Sequence, residues 1–214
     1  TSDTEGSNIA IGYEAFKDHN SGNYNVAIGY QAAYYCPGHS SCTAIGAFAM
    51  GKPSSSTTLW STAVGYGAML ASEGWACTAV GVDAVDGSSS SANYNTGVGY
   101  AAIHDVSSGE GNSALGASAG NGCGSGAYNV FLGYNAGNDT LPTGDNCILI
   151  GKNSAPSSSS VDNEITLGNS DTATLRCNTQ TISSLSDKRD KTDINQLDLG
   201  LDFVDSLKPV KFKW

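Results

Sequence analysis

Short runs in which bulky and small residues alternate recur along most of the chain. In the first run Ile9, Ile11 and Tyr13 fall on one side of an extended backbone, while Asn8, Ala10 and Gly12 fall on the other. A period of two predicts a β-strand and not a helical turn. Aligned on one glycine, the runs read NIAIGYEA, NVAIGYQA, CTAIGAFA, STAVGYGA, CTAVGVDA, NTGVGYAA, NSALGASA and NVFLGYNA, with that glycine at Gly12, Gly29, Gly46, Gly65, Gly81, Gly99, Gly116 and Gly133. Two looser copies follow, around Gly151 and Gly168. The glycines are separated by 17, 17, 19, 16, 18, 17, 17, 18 and 17 residues, and alanine stands three residues after the glycine in the first eight copies. The intervening segments, such as KDHNSGN and DGSSSSAN, have the chemistry of turns.

One such strand cannot bury an apolar face by itself, and stacking successive copies into a solenoid solves the problem. At about 3.3 Å per residue a 17-residue repeat gives a path of about 56 Å, enough for a coil with two short strands and two turns. Stacked coils would set equivalent residues about 4.8 Å apart, aligning Asn8, Asn25, Asn95, Asn112, Asn129, Asn146 and Asn163 into a structural ladder. The face carrying only alanine, glycine and other small residues suits close approach of neighbouring backbones. It points to several chains around an axis, as in a trimer. Tyr13, Tyr30, Tyr66, Tyr100 and Tyr134 read as packing or rim residues in preference to a sugar-stacking track.

Composition narrows the alternatives. The chain has 214 residues, 27 of them glycine, with only 8% aromatics, which argues against a compact helical domain. Its net charge of −10 is unevenly spread: residues 1–186 hold 4 Lys and Arg against 14 Asp and Glu, and residues 187–214 hold 6 of each. An acidic body disfavours nucleic acid and anionic membrane surfaces as partners. No long apolar run or signal stretch is present, so no membrane insertion is expected, and a first residue other than Met suggests a fragment or a processed product. The six cysteines form no CxxC pair and the three histidines are scattered, so neither a metal nor a cofactor is expected. Cys36 and Cys42 bracket PGHSS, and the sequence leaves open whether they close a small disulfide loop or remain buried thiols.

The recurring N-x-A-[IV]-G-x-x-A resembles the head repeats of trimeric autotransporter adhesins, such as the YadA-like heads, and similar repeats in bacteriophage tail fibres. The resemblance covers residues 8 to about 170. It implies an all-β fold: a left-handed parallel β-roll of about ten coils, assembled as a homotrimer. Binding would fall to the variable turns. Trp60, which ends the longest insertion, Trp75, and the group Tyr34, Tyr35 and His39 are candidate receptor contacts, since exposed aromatics suit glycan or protein partners.

The pattern changes after Gly168. Residues 171–186 read as a last strand, ATLRC, and a linker; from 187 onward Leu197, Leu201, Val204 and Leu207 share one face of a helix, ended by Pro209 before a strand VKFKW. The run Ser186-Asp187-Lys188-Arg189-Asp190-Lys191, with the positions that follow it, resembles the start of the self-cleaving intramolecular chaperone at the C-termini of phage tail spikes and fibres, the endosialidase-type peptidase family. Only the first part of such a domain is present, over 187–214. The resemblance implies a chaperone that drives trimerisation and is then released by a cut at Ser186–Asp187, with Ser186 as nucleophile and Lys191 as its base. A lysine base needs a lowered pKa, to which Lys188 or Arg189 would contribute. Attack by Ser186 on its own carbonyl would form a four-membered ring. The attack therefore falls on the carbonyl of Leu185 or Ser184, or a serine of another subunit acts.

These readings converge on a virion structural protein: an extracellular tail-fibre or tail-spike segment that meets other tail proteins and a host cell-surface receptor, glycan or protein. Any enzymatic activity would be autoproteolytic, because the paired carboxylates of a glycosidase are absent from any one turn. The alternative is the head of a bacterial trimeric autotransporter-type adhesin.

Overall fold

A computed structural model describes residues 6–19, 21–51, 60–87, 92–138, 140 and 143–178. Ten three-residue strands form one sheet in chain order: β1 (Ile9–Ile11), β2 (Val26–Ile28), β3 (Thr43–Ile45), β4 (Thr62–Val64), β5 (Thr78–Val80), β6 (Thr96–Val98), β7 (Ser113–Leu115), β8 (Val130–Leu132), β9 (Ile148–Ile150) and β10 (Ile165–Leu167). Every pair is parallel and in register, so that Ala27 lies opposite Ala10 and Ala44. The fold is an all-β parallel solenoid, and no helix occurs among the described residues. Each coil has one named strand, not the two expected. ATLRC, read as a last strand, is irregular over 173–177, and the repeat unit ends at Ala173.

Left-handed residues, and not a second strand, bend the coil. In the coil of β2, Tyr24, Gln31 and Ala33 have φ of 62°, 52° and 47°, and most other coils repeat these three positions. An L-residue costs about 1–2 kcal/mol in this region. The cost is offset by bonds between coils: Gln31 N donates to Tyr13 O at 2.8 Å and Ala33 N to Ala49 O at 2.8 Å. The corner residue Tyr94 likewise donates to Trp75 O at 2.9 Å.

The repeat glycine answers a different need. At Gly99, φ is +137° and an added Cβ would lie 2.4 Å from Gly116 O, so only glycine lets successive coils approach this closely. The same contact runs down the glycine column.

The interior corrects the expected facing of the strands. The small residues point inward, with Ala27, Ala44, Ala63 and Ala79 at 0–1% exposure, while the bulky Ile9, Ile11, Leu115 and Leu132 are 40–58% exposed. A narrow coil has room for large groups only where the opposite side is small. Opposite the alanines stand Met50, Met69, Val85 and Ile103, all buried. Where Phe131 takes the strand centre, the opposing residues are Gly120 and Gly137, whose Cβ atoms would come within 2.6 and 2.3 Å of its ring.

The asparagine ladder exists with one change of phase. Asn112 Oδ1 accepts from Asn129 N at 2.9 Å and its Nδ2 donates to Gly126 O at 2.8 Å. Asn8, Asn25, Asn95 and Asn129 make the same pair of bonds. Asn146 and Asn163, expected in this ladder, sit one residue earlier at the left-handed corner, where Asn146 Nδ2 meets Asn163 Oδ1 at 2.8 Å. Their ladder places go to Cys147 and Glu164. Cys42, Ser61 and Cys77 fill the same place in other coils.

Gly99→Ala is expected to lower stability by about 3 kcal/mol or more, from overpacking in a strained backbone region. Asn112→Ala should cost about 2–4 kcal/mol, because a buried N–H and a buried carbonyl lose their partner. Gly6→Ala, whose methyl meets open space, serves as the neutral control; urea midpoints measured side by side check all three.

Candidate interaction surface

Because the alanines turn inward, the outward side of the sheet is apolar. Its strand positions carry only Ile, Val, Leu, Thr and Ser, with no charged side chain from β1 to β10. Two aromatic rows flank it. On the far side of the glycine stand Tyr13, Tyr30, Tyr66, Tyr100 and Tyr134, 47–64% exposed. Tyr13 stacks on Tyr30 with centroids 5.3 Å apart, and half-buried Phe48 bridges Tyr30 and Tyr66 edge-on at 5.3 and 5.6 Å. At the left-handed corner two residues before the strand stand Tyr24, Trp60, Tyr94 and Tyr128, 59–69% exposed. Between β6 and β8 the face is hollowed by an open depression of about 270 Å³, lined by Val98, Leu115, Leu132 and Phe131 among others.

The sequence-predicted contacts do not form one site. Trp60 and Trp75 precede neighbouring strands, β4 and β5, Trp60 at the left-handed corner and Trp75 one residue before it, and are 63% and 45% exposed. Tyr34 and Tyr35 lie elsewhere, in the turn after β2. Tyr35 is 39% exposed, whereas Tyr34 is half-buried and receives Lys17, whose Nζ lies 3.1 Å from its hydroxyl and 5.1 Å from its ring centre. Glu14, 2.8 Å from the same ammonium, is the first cause of the raised Lys17 pKa. His39 is corrected outright: it is fully buried, with neither ring nitrogen hydrogen-bonded among the described residues, and offers no contact to a partner. Ser186, Lys191, the Ser186–Asp187 bond, and the expected helix and strand beyond them lie outside the described residues.

The buried cysteines are structural. All six are free, so Cys36 and Cys42 do not close a loop. Cys36 Sγ donates to Ala33 O at 2.7 Å. Cys77, in an asparagine place, donates to Ala92 O at 3.3 Å and accepts the backbone N–H of Asn95, so a thiol performs both tasks of the amide. Burial pushes Cys77 up to about 11 and Cys123 to about 12, which keeps them protonated and unreactive. No group of three His, Cys, Asp or Glu among the described residues is placed to hold a metal ion. No helix among them is long and apolar enough to cross a membrane.

The decisive comparison concerns the C-terminal end. Residues 186–214 match the family described as Chaperone of endosialidase. The match begins at Ser186, the first residue of the charged run. Curated proteins and solved structures gave no match. A parallel β-solenoid followed in the chain by residues that match the endosialidase chaperone family fits a tail-fibre-like protein.

Two outcomes follow from the buried groups. Burial, with His19 nearby, lowers the His39 pKa from 6.5 to about 4. The folded state therefore holds the neutral ring, and its advantage, complete above pH 6.5, is lost as the pH falls toward 4, by up to about 3 kcal/mol. Thermal midpoints should drop over that window, and less in His39→Phe. Ellman's reagent should titrate one thiol per native chain, Cys177, the exposed one, and six after denaturation.

Proposed function

We propose that this chain is the repetitive segment of a bacteriophage tail fibre or tail spike, working as a homotrimer that attaches to a host surface and matured by self-cleavage at Ser186–Asp187. The observation that carries this reading is an adjacency. A solenoid with an uncovered apolar face, ending at Ala173, is followed about a dozen residues later by residues matching an endosialidase chaperone. An exposed face of this size is an aggregation hazard in a lone chain, and three copies around an axis would bury it. Parallel coils give little penalty against mispairing, because every repeat offers the same backbone bonds. A device that holds three chain ends level during folding answers that difficulty.

In this reading the partners are the chain itself, other tail proteins, and a glycan or protein of the host cell surface, and the place of action is the extracellular virion. Three copies of a weak turn contact gain strength through avidity. Trp75 and Tyr35 are the exposed candidates for that contact, whereas Trp60 lies at the margin of the face that the copies would share. For a cut at Ser186–Asp187 the nucleophile is Ser186 of a neighbouring copy, with Lys191 as its base: its Oγ forms an ester with the Ser186 carbonyl, the amine of Asp187 leaves with the proton that Lys191 took, and water hydrolyses the ester. An autotransporter adhesin head shares the repeat, but the chaperone match has no place in it.

Mass spectrometry of the protein expressed from its own gene tests the maturation step. The wild type should end at Ser186 and Ser186→Ala should remain uncut; an uncut wild type removes the cleavage from the proposal. Sedimentation of the product should give the mass of three chains, and a stable monomer would count against the assembly.

A further inference from the structure

The apolar face carries a second period, two coils long. The coils of β2, β4, β6 and β8 bear an aromatic residue at both margins, pairing each corner aromatic with the tyrosine after the glycine of the same coil, as Tyr94 pairs with Tyr100. The coils between them are small at both margins: Ser41 and Ala47 beside β3, Ala76 and Val82 beside β5, Gly111 and Ala117 beside β7. The open depression lies over β7, between the broad coils of β6 and β8. Tyr13 of the β1 coil and half-buried Phe48 beside β3 are the departures at one end, Trp75 stands one residue outside the corner row, and at the other end the alternation stops after β8, since the β9 coil carries Asn146 and Lys152 and the β10 coil Asn163 and Asn169. At Gly111 the coil itself asks for a small residue, because the Tyr128 ring covers it and an added Cβ would come within 2.7 Å; at the other narrow margins the backbone sets no such limit. The interior is filled from the opposite side of the strand, and the corner backbone accepts Ser41, Ala76 and Tyr94 at φ of 57°, 53° and 61° alike.

We propose that the alternation sets the axial register between copies of this chain. The proposal rests on the reading that the copies meet through this face. In a plain repeat, a neighbour displaced by one coil, about 4.8 Å, would find the same backbone and nearly the same strand residues. Here a one-coil displacement sets every broad coil against a narrow one, and only a displacement of two coils restores the match. Zero displacement alone keeps all matched coils and the ends together. The role is that of a polar residue fixing register in a coiled coil, performed by width.

A spin label at exposed Ser108 (Ser108→Cys, in a Cys177→Ser background) leaves the five buried thiols unlabelled. Two variants erase the alternation in opposite ways. In the flattened variant the eight aromatics of the four broad coils become alanine; in the filled variant Ser41, Ala47, Ala76 and Val82 become tyrosine. Trimers of the wild-type face should give one label-to-label distance. Each variant should stay trimeric by sedimentation and gain a second distance population, from a chain shifted by one coil. A single unchanged distance in the flattened variant overturns the proposal. If that variant no longer assembles, the filled variant decides, and one distance there overturns it equally. A wild-type chain that sediments as a monomer sinks the trimer reading itself and this inference with it, an outcome separate from failure of the register alone.

Discussion

Every part of this solenoid depends on the coil closing so that a backbone N–H meets a carbonyl one coil away. Seventeen or so residues must turn through a full circuit and rise by a single strand spacing. Three-residue strands cannot do this unaided, so the chain turns at left-handed residues whose intrinsic cost is met by the bonds they make to the coils above and below. Gly99 and its equivalents mark where the coils come closest. Asn112 and its equivalents mark where the turn would otherwise leave buried backbone groups without partners. The glycine recurs at a fixed distance from the strand because no other residue fits there, and the asparagine place recurs because its buried N–H and carbonyl need a group that can both accept and donate.

These demands belong to the backbone, and so they were legible along the chain. The spacing of the glycines and the alternation around them were enough to expect an all-β parallel solenoid with an asparagine ladder. What they could not tell was which side of the strand lies within. Large apolar residues suggest a core, yet the cross-section of this coil is too narrow for Ile11 and Ile28 on the inside, and the alanines take that place. The volume available between two sides of one coil is set by the opposite side, by Met50, Ile103 or the glycines facing Phe131. A linear pattern does not display it. Asn146 misled for a similar reason, because the ladder is phased by where the strand starts and a cysteine had taken the place. His39, in a turn rich in small polar residues, carried no sign of full burial.

The asparagine place also shows how little a fold requires of chemistry once geometry is fixed. An amide, a hydroxyl at Ser61 and a thiol at Cys77 all accept one N–H and donate to one carbonyl there. The cysteines are thus part of the scaffold's own bonding. Their number reflects exchange among small polar groups, and needs neither a disulfide nor a metal to account for it. The outward face follows a different logic, since its residues are held to no such exchange, and it is there that the sequence departs from simple repetition.

The left-handed corner has a consequence of its own. Tyr, Trp, Ser, Ala, Gly and Asn all occupy it, because the bond its N–H makes to the previous coil fixes the backbone whatever the side chain is. Each coil therefore presents an interchangeable outward slot on an unchanging frame. Most substitutions at the corner would thus change what a coil offers to its neighbours and leave its own bonding as it was.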